Sequence, residues 1–222
     1  MKNTVITGAN RGIGLALTRF AKARGDRVLA ACRASSSALD ALGVEVVEGV
    51  DVAHPAGVAR LAAAVGERPV HCLVSNAGIL IQVELQNLDV AAIRQQFEVN
   101  ALGPLQVAAA LQGRFEQGSK IGLITSRMGS LGDNSSGGHY GYRMSKAALN
   151  IAGISLARDL APRGVAVAII HPGMVDTDML ASLGHHGLEP SEAARGIFAR
   201  LDELTLETSG GFWHMNGERL PW

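Results

Sequence analysis

Short runs rich in valine and isoleucine alternate with longer amphipathic stretches along this 222-residue chain, and that alternation restricts the fold more than any other feature. Seven runs predict strands: NTVIT, RVLAAC, VEVVEGV, VHCLVSN, KIGLIT, VAVAIIH and GGFWHM. Helices are predicted between them at 12–24, 55–65, 89–116 with a break at Pro104, 142–161 and 190–203. Apolar strands that alternate with helices form a parallel sheet that is buried on both faces. We therefore expect an α/β fold with one doubly wound parallel sheet of about seven strands, in a single domain over residues 1–222.

Charge and composition exclude several classes of partner. Lys and Arg together number 20, as do Asp and Glu, so the chain has no net field to attract nucleic acid or an anionic membrane. No apolar stretch approaches the roughly 20 residues that cross a bilayer, and MKNTVITGAN reaches glycine before an apolar run of signal length. The seven scattered histidines offer no convergent set of zinc ligands. With Cys32 and Cys72 expected as reduced thiols, we predict a cytoplasmic protein without a metal site.

A glycine-rich turn follows the first predicted strand. In GANRGIG, Gly8, Gly12 and Gly14 immediately precede a predicted helix. Glycines let the backbone turn tightly and approach a phosphate, which then lies at the positive end of the helix. The spacing differs from the commoner G-x-G-x-x-G, and a plain tight turn is the alternative. Because the turn follows the first strand of an alternating chain, we predict a dinucleotide site of the Rossmann type.

The residues after the second predicted strand bear on the choice of dinucleotide. An acidic side chain there would bind the adenosine ribose hydroxyls of NAD, but the segment is ACRAS, with Cys32 and Arg33, and Asp26 lies at the opposite end of the strand. Arg11 in the glycine turn adds a second cation. Guanidinium groups bind a 2′-phosphate through charge-assisted hydrogen bonds. We therefore predict NADP(H) in preference to NAD(H). The alternative is that both arginines are solvated surface charges.

Tyr142 and Lys146 lie four residues apart in a predicted helix, which places them one turn from each other on the same face. A buried ammonium beside a phenol favours the phenolate and should lower the pKa of Tyr142, which indicates proton chemistry. A packed aromatic side chain is the alternative. Tyr140, the other tyrosine of the chain, would not share that face.

Further residues follow in a characteristic order: Asp51, NAG at 76–78, Asn100, Ser126 and HPGMVDTDM at 171–179. Together with the glycine turn, Tyr142 and Lys146, this ordered set resembles the short-chain dehydrogenase/reductase family along the whole chain. The long loop after Ser126, the absence of a large insert after Pro172 and the ending NGERLPW further resemble the branch that contains C-factor and sniffer-type carbonyl reductases.

The resemblance implies four catalytic residues. Tyr142 would be the general acid for carbonyl reduction, with a pKa that Lys146 brings toward the working range. Lys146 would also hold the nicotinamide ribose. Ser126 would orient the substrate oxygen, and Asn100 would hold a water that links Lys146 to solvent. A loop-capping hydroxyl is the alternative for Ser126, and a helix cap is the alternative for Asn100.

The resemblance also implies cofactor contacts at the strand ends. Asp51 and Val52 would reach the adenine edge, although an aspartate in a strand-end turn is the alternative. Pro172 and Gly173 would shape the backbone against the nicotinamide, and Thr177 would bind its carboxamide. The full expected set is Gly8, Asn10, Arg11, Gly12, Ile13, Gly14, Arg33, Asp51, Val52, Asn76, Ala77, Gly78, Tyr142, Lys146, Pro172, Gly173, Val175 and Thr177.

These residues predict an NADP(H)-dependent oxidoreductase that interconverts a carbonyl and an alcohol on a small molecule. The alternative is a nucleotide-binding sensor or signalling protein of the C-factor type. A short substrate lid is predicted around 174–190. The expected apolar wall of the substrate pocket comprises Met128, His139, Tyr140, Met174, Met179 and Leu180.

The family resemblance further implies a homodimer or homotetramer. Helices at 100–118 and 142–161 resemble those that pair between subunits. Four alanines are expected to permit their close approach: Ala108, Ala109, Ala152 and Ala157.

Overall fold

A computed structural model describes residues 1–181 and 183–222. In these residues seven strands form one sheet in the order β3-β2-β1-β4-β5-β6-β7, and every neighbouring pair is parallel. The strands are β1 (Asn3–Thr7), β2 (Arg27–Ala31), β3 (Glu45–Val47), β4 (Cys72–Ser75), β5 (Lys120–Ile124), β6 (Ala166–His171) and β7 (Phe212–His214). The predicted α/β fold with a doubly wound parallel sheet is confirmed.

Helices cross both faces of the sheet between the strands. They are α1 (Gly12–Ala23), α2 (Ser37–Asp40), α3 (Pro55–Val65), α4 (Val90–Phe97), α5 (Gly103–Leu111), α6 (Tyr140–Leu160), α7 (Asp178–Ala181) and α8 (Pro190–Glu203). Among the predicted helices other than 89–116, the largest difference in boundaries is that α6 begins at Tyr140, two residues before the predicted start.

The predicted helix at 89–116 departs from regular geometry before the expected point. A π-helical turn, Glu98–Leu102, joins α4 to α5, so the irregularity precedes Pro104. Pro104 itself lies in the first turn of α5. Its missing N–H costs little there, because first-turn amides have no partner within their own helix. The π turn is significant because it contains Asn100.

The core consists of two apolar layers, one on each face of the sheet. On one face, Val107 of α5 and Leu149 of α6 pack with the strands. On the other face, Leu17 of α1 and Phe198 of α8 are fully buried. Since both faces are covered, the carboxyl edge of the sheet is where a ligand can enter. The strand order reverses between β1 and β4, which is the usual position of a ligand crevice in such sheets.

The glycine turn requires glycine at defined positions. Gly8 has a positive φ of 66°. A Cβ at Gly14 would lie 2.0 Å from the Gly8 carbonyl oxygen, so no other residue allows α1 to begin this close to β1. The turn therefore brings the backbone of Gly8 and the start of α1 to the crevice between β1 and β4.

The alanines predicted to permit subunit contact do not share one surface. Ala109 is exposed and Ala152 is half-buried, but Ala108 and Ala157 are buried within the protomer. The prediction was therefore wrong for Ala108 and Ala157, because both are buried in the core of the protomer. Within residues 1–181 and 183–222, no helix is both long and apolar enough to cross a membrane.

Candidate active site

A cavity of about 1660 Å³ lies at the carboxyl edge of the sheet. Every residue of the predicted cofactor set lines it, from Gly8 in the glycine turn to Thr177 after β6. Three of the four predicted catalytic residues also line it: Ser126, Tyr142 and Lys146. The fold therefore brings the dinucleotide residues and the proton-transfer residues to one cavity, although these roles stay predictions for the individual side chains.

Ser126 and Tyr142 meet at the end of β5. Ser126 follows the strand, and its hydroxyl accepts a hydrogen bond from the Met128 amide at 3.2 Å. The Ser126 hydroxyl also lies beside the Tyr142 phenol, whose pKa it lowers. Ser126 thus caps the following 3₁₀ turn, as the alternative interpretation held, and also reaches the phenol. Both side chains are buried.

Lys146 lies one turn after Tyr142 along α6. Its Nζ donates a hydrogen bond to the Ile124 carbonyl at 3.0 Å and lies 5.8 Å from the centroid of the Tyr142 ring. Burial lowers the pKa of Lys146 from 10.5 to about 8. Burial raises the pKa of Tyr142 from 10.0 to about 12, which the hydrogen bond from Ser126 offsets only in part.

The direction of the Tyr142 shift is opposite to the sequence-based expectation. The spacing predicted that the ammonium would lower the pKa of Tyr142. In the structure the loss of hydration destabilises both the phenolate and the ammonium, and burial is the largest influence on the pKa of each group. Tyr142 therefore holds its proton firmly at neutral pH, which suits a proton donor.

Asn100 is buried in the π turn, behind the cavity. Its Oδ1 accepts a hydrogen bond from the Ile79 amide at 2.8 Å, and its Nδ2 donates to the Ile79 carbonyl at 2.8 Å and to Ser145 Oγ at 3.0 Å. A Cβ on Gly78 would lie 3.2 Å from Asn100 Oδ1 and 3.6 Å from Lys146 Nζ. Asn100 is thus not a helix cap, because its amide fixes the segment after β4 beside Lys146. Its water-holding role stays a prediction.

The NAG segment connects β4 to the glycine turn. Asn76 Nδ2 donates hydrogen bonds to the carbonyls of Thr7 at 3.1 Å and Gly8 at 3.2 Å. The backbone N–H of Asn76 also donates to Thr7 Oγ1 at 3.1 Å. These bonds hold the ends of β1 and β4 together on either side of the crevice.

The predicted adenosine end of the cavity carries two exposed arginines. Arg33 has no carboxylate oxygen within 4.0 Å among the described residues. Arg11 forms an ion pair with Asp178 of α7 instead of remaining free. Asp51 accepts a hydrogen bond from the Ala53 amide at 3.0 Å, so it forms the strand-end turn and lines the cavity as well.

The start of α1 provides a further feature that fits a dinucleotide phosphate. Arg11 occupies the N-cap position but makes no side-chain hydrogen bond to the first-turn amides. These N–H groups therefore lie uncapped beside Gly12 and Gly14 at the cavity wall. Uncapped amides at a helix N-terminus bind anionic oxygens, and the close backbone approach at Gly14 leaves room for them. The residues present thus fit the pyrophosphate of NAD(P).

The predicted apolar wall is partly wrong. Met128, Met174, Met179 and Leu180 line the cavity, but His139 and Tyr140 do not. Tyr140 is 37% exposed. Because α6 begins at Tyr140, its side chain is rotated by about 200° from that of Tyr142 and faces away from the cavity. The predicted lid at 174–190 includes Ser182, which lies outside the described residues, and the lid stays a prediction.

His171 is a cavity residue that the sequence did not indicate. It is the last residue of β6, and its ring lies edge-to-face on His214 with 5.1 Å between centroids. Burial, then His214 and Arg127, lower its pKa to about 3. The imidazole is therefore neutral at working pH. The sequence signal that could have identified His171 as a cavity residue is its position directly before Pro172. In the described part of the chain, no group of three or more His, Cys, Asp or Glu could hold a metal ion.

Comparison with known proteins decides the family. Residues 2–187 match the family model for short chain dehydrogenases. The chain belongs to the short-chain dehydrogenase/reductase family. It is 42% identical over 226 residues to the 1-hydroxy-2-glutathionyl-2-methyl-3-butene dehydrogenase of Rhodococcus sp. (strain AD45), and the match covers 100% of both chains. It is 41% identical over 157 residues to C-signal of Myxococcus xanthus, a match that covers 69% of this chain and 93% of C-signal.

Solved structures agree with this assignment. The NADPH-bound carbonyl reductase from chicken fatty liver superposes on this short-chain dehydrogenase/reductase with a TM-score of 0.91 at 27% identity, covering 100% of this chain and 99% of the other. C-signal and a carbonyl reductase represent the branch that the sequence resembles, so the predicted resemblance is confirmed. The protein is an oxidoreductase of this family.

Replacing Lys146 with methionine should stabilise the fold at neutral pH. The pKa of Lys146 in the folded state, about 8, is below its ordinary value of 10.5. Folding therefore disfavours the ammonium form of Lys146. The resulting loss of folding free energy is fully present below about pH 8 and disappears as the pH rises to 10.5. At about 1.4 kcal/mol per pKa unit, K146M should raise the free energy of unfolding at pH 7 by up to about 3 kcal/mol, less the lost bond to Ile124.

Urea denaturation at pH 7 and pH 10 measures this effect. Lys2→Met, at an exposed position, is the control and should change little at either pH. If K146M is less stable than the wild type at pH 7, the buried ammonium does not carry the inferred cost.

Proposed function

We propose that the chain is an NADP(H)-dependent oxidoreductase that interconverts a carbonyl and an alcohol by hydride transfer, with Tyr142 as the general acid and base. The observation that carries the proposal is the arrangement of three buried side chains at the cavity. The Ser126 hydroxyl lies beside the Tyr142 phenol, and the Lys146 ammonium lies one turn away, 5.8 Å from the centroid of the Tyr142 ring.

The protonation states fit the reductive direction. Tyr142, with a pKa of about 12, holds the proton that the carbonyl oxygen needs. Ser126 can hydrogen-bond that oxygen and orient it against the phenol. NADPH, when bound, would supply the hydride to the carbonyl carbon, so the product alcohol gains one hydride and the Tyr142 proton. Below about pH 8, Lys146 is charged and stabilises the phenolate that remains.

The first test is NADPH consumption by the purified protein with aldehydes, ketones, diketones and quinones. A glutathionyl alcohol with NADP⁺ should be included, because the Rhodococcus relative is named as a dehydrogenase of such a compound. Tyr142→Phe should lower kcat/KM by about 10² to 10⁴, and Tyr140→Phe, at an exposed position outside the cavity lining, should retain activity. Reductive kcat/KM should be flat below about pH 8 and fall above it as Lys146 loses its proton.

The outcome also separates the enzyme from the signalling alternative. C-signal is a relative, so a protein of the same fold that binds nucleotide without turnover is the second candidate. Tight NADPH binding without consumption on any substrate would favour that candidate. Equal activity in Tyr142→Phe and the wild type would contradict the role of Tyr142 as proton donor.

We also propose that the enzyme prefers NADP(H) to NAD(H). The support is Arg33, which is exposed at the cavity and lacks a carboxylate partner in the described chain. The similar carbonyl reductase from chicken contains NADPH. A guanidinium free of an internal ion pair is available for a 2′-phosphate.

Arg33→Ala should weaken NADPH binding by about 1 to 2 kcal/mol and leave NADH binding nearly unchanged, which is the scale of charge-assisted hydrogen bonds. Fluorescence titration with each cofactor measures this. Arg158→Ala, at an exposed position on α6 outside the cavity lining, is the matched control. Equal losses for both cofactors would contradict the phosphate role.

A homodimer or homotetramer is proposed as well. The support is a set of apolar side chains exposed on α5 and α6: Leu105, Met144 and Ile151. Sedimentation at micromolar concentration should show a dimer or larger species. Ile151→Glu should shift it toward the monomer without unfolding the protomer, because Ile151 is 61% exposed there. A wild-type monomer under these conditions would contradict the proposal.

A further inference from the structure

Arg143 is a charged cavity residue that no proposed step uses. It directly follows Tyr142 on α6 and is half-buried. It lines the cavity beside Met128 and the segment that contains Ser135 and Ser136. Arg143 contacts the Met128 carbonyl, and the Met128 amide donates to Ser126 Oγ, so this part of the cavity adjoins the segment that follows β5.

The hydrogen bonds of Arg143 leave two donors unused. Its Nε donates to the Gly137 carbonyl at 3.1 Å, Nη1 to the Met128 carbonyl at 3.4 Å and Nη2 to Ser136 Oγ at 2.9 Å. A guanidinium has five N–H groups, of which two are on each terminal nitrogen. One N–H on Nη1 and one on Nη2 therefore remain without a protein acceptor among the described residues.

No carboxylate balances the charge of Arg143. Within the part of the chain that the structure describes, no Asp or Glu oxygen lies within 4.0 Å of its guanidinium. Glu98 lines the cavity but makes no ion pair with it. Glu84 lies against Gly138, since a Cβ there would be 3.2 Å from Glu84 Oε2, but it also remains outside that distance.

Arg127 provides an internal comparison. It also lines the cavity. Its guanidinium pairs with Asp133 at 3.1 Å and with Glu218 at 3.2 Å. The charge of Arg127 is therefore already compensated by the protein, whereas the charge of Arg143 meets only neutral oxygens.

We propose that Arg143 binds a carboxylate of the substrate, so that the enzyme acts on carbonyl or alcohol compounds that carry a carboxylate apart from the reacting carbon. The inference rests on the function proposed above. A partly desolvated guanidinium without a counter-charge gains from pairing with an anion, and two unused N–H groups on Nη1 and Nη2 match the two oxygens of a carboxylate. Because Arg143 contacts Met128, whose amide donates to Ser126, such an anchor would hold the substrate on the Ser126 side of the cavity.

A matched pair of substrates tests the anchor: 4-formylbenzoate and its methyl ester, with saturating NADPH. The wild type should reduce the acid with a kcat/KM about tenfold or more above that of the ester. Arg143→Gln should raise KM for the acid by about 10-fold to 100-fold and change the ester far less. Arg143→Lys keeps the charge but loses the paired N–H groups. Its KM for the acid should lie between that of the wild type and that of Arg143→Gln. Arg127→Gln is the control and should affect acid and ester alike.

Arg143 also fixes the loop that contains Ser136 and Gly137, and the ester distinguishes that role from anion binding. Equal losses on acid and ester in Arg143→Gln would show that Arg143 only positions the loop, and would overturn the inference. So would a wild type that shows no preference for the acid.

A binding measurement separates failure of this inference from failure of the proposed function. Quenching of NADPH fluorescence in the protein–NADPH complex reports binding of 4-formylbenzoate without turnover. Tighter binding of the acid than of the ester, lost in Arg143→Gln, supports the anchor even if neither compound is reduced. Equal affinities of the wild type for acid and ester overturn it, whether or not the protein reduces other carbonyls.

Discussion

Neighbouring strands of the described sheet all run parallel, so the chain has to cross a face of the sheet between one strand and the next. Helices make these crossings and bury both faces, and the carboxyl ends of the strands then meet along one edge. Gly8 follows β1, Asn76 follows β4, Ser126 follows β5 and Pro172 follows β6. Residues far apart in sequence therefore line one cavity because of the direction of the strands. Because Gly14 lies against the Gly8 carbonyl, the start of α1 is close to the end of β1, where a phosphate can reach its N–H groups.

The chemistry of the site is governed by desolvation. Tyr142 and Lys146 are both almost fully buried. Burial raises the pKa of Tyr142 and lowers the pKa of Lys146, so it favours the neutral form of each group. Ser126 opposes the shift of Tyr142 through a hydrogen bond, but less strongly. A phenol that holds its proton beside a lysine that titrates near neutral pH suits proton donation to an oxygen. The fold bears the cost of the buried ammonium, as is common at functional sites.

The charged residues of the cavity differ mainly in their partners. Arg11 is paired with Asp178, and Arg127 is paired with two carboxylates. Arg33 and Arg143 have no carboxylate partner among the described residues, and they line the cavity from different elements, Arg33 after β2 and Arg143 in α6. An anion can be bound best where the protein has not already supplied one. The two unpaired arginines are thus compatible with a molecule that carries a phosphate at one end and with another that carries a carboxylate on the Ser126 side of the cavity.

The sequence by itself determined the fold and most of the cavity. Runs of valine and isoleucine between helical stretches define the parallel sheet, and the glycine turn, NAG, Tyr142 and Lys146 identify the edge at which a dinucleotide would bind. These features are local, so their spacing can be read directly from the chain. The tertiary structure decided the π turn at Asn100, the orientation of Tyr140 away from the cavity and the raised pKa of Tyr142. It also decided which arginines are paired, because burial and ion pairing depend on neighbours that are distant in sequence.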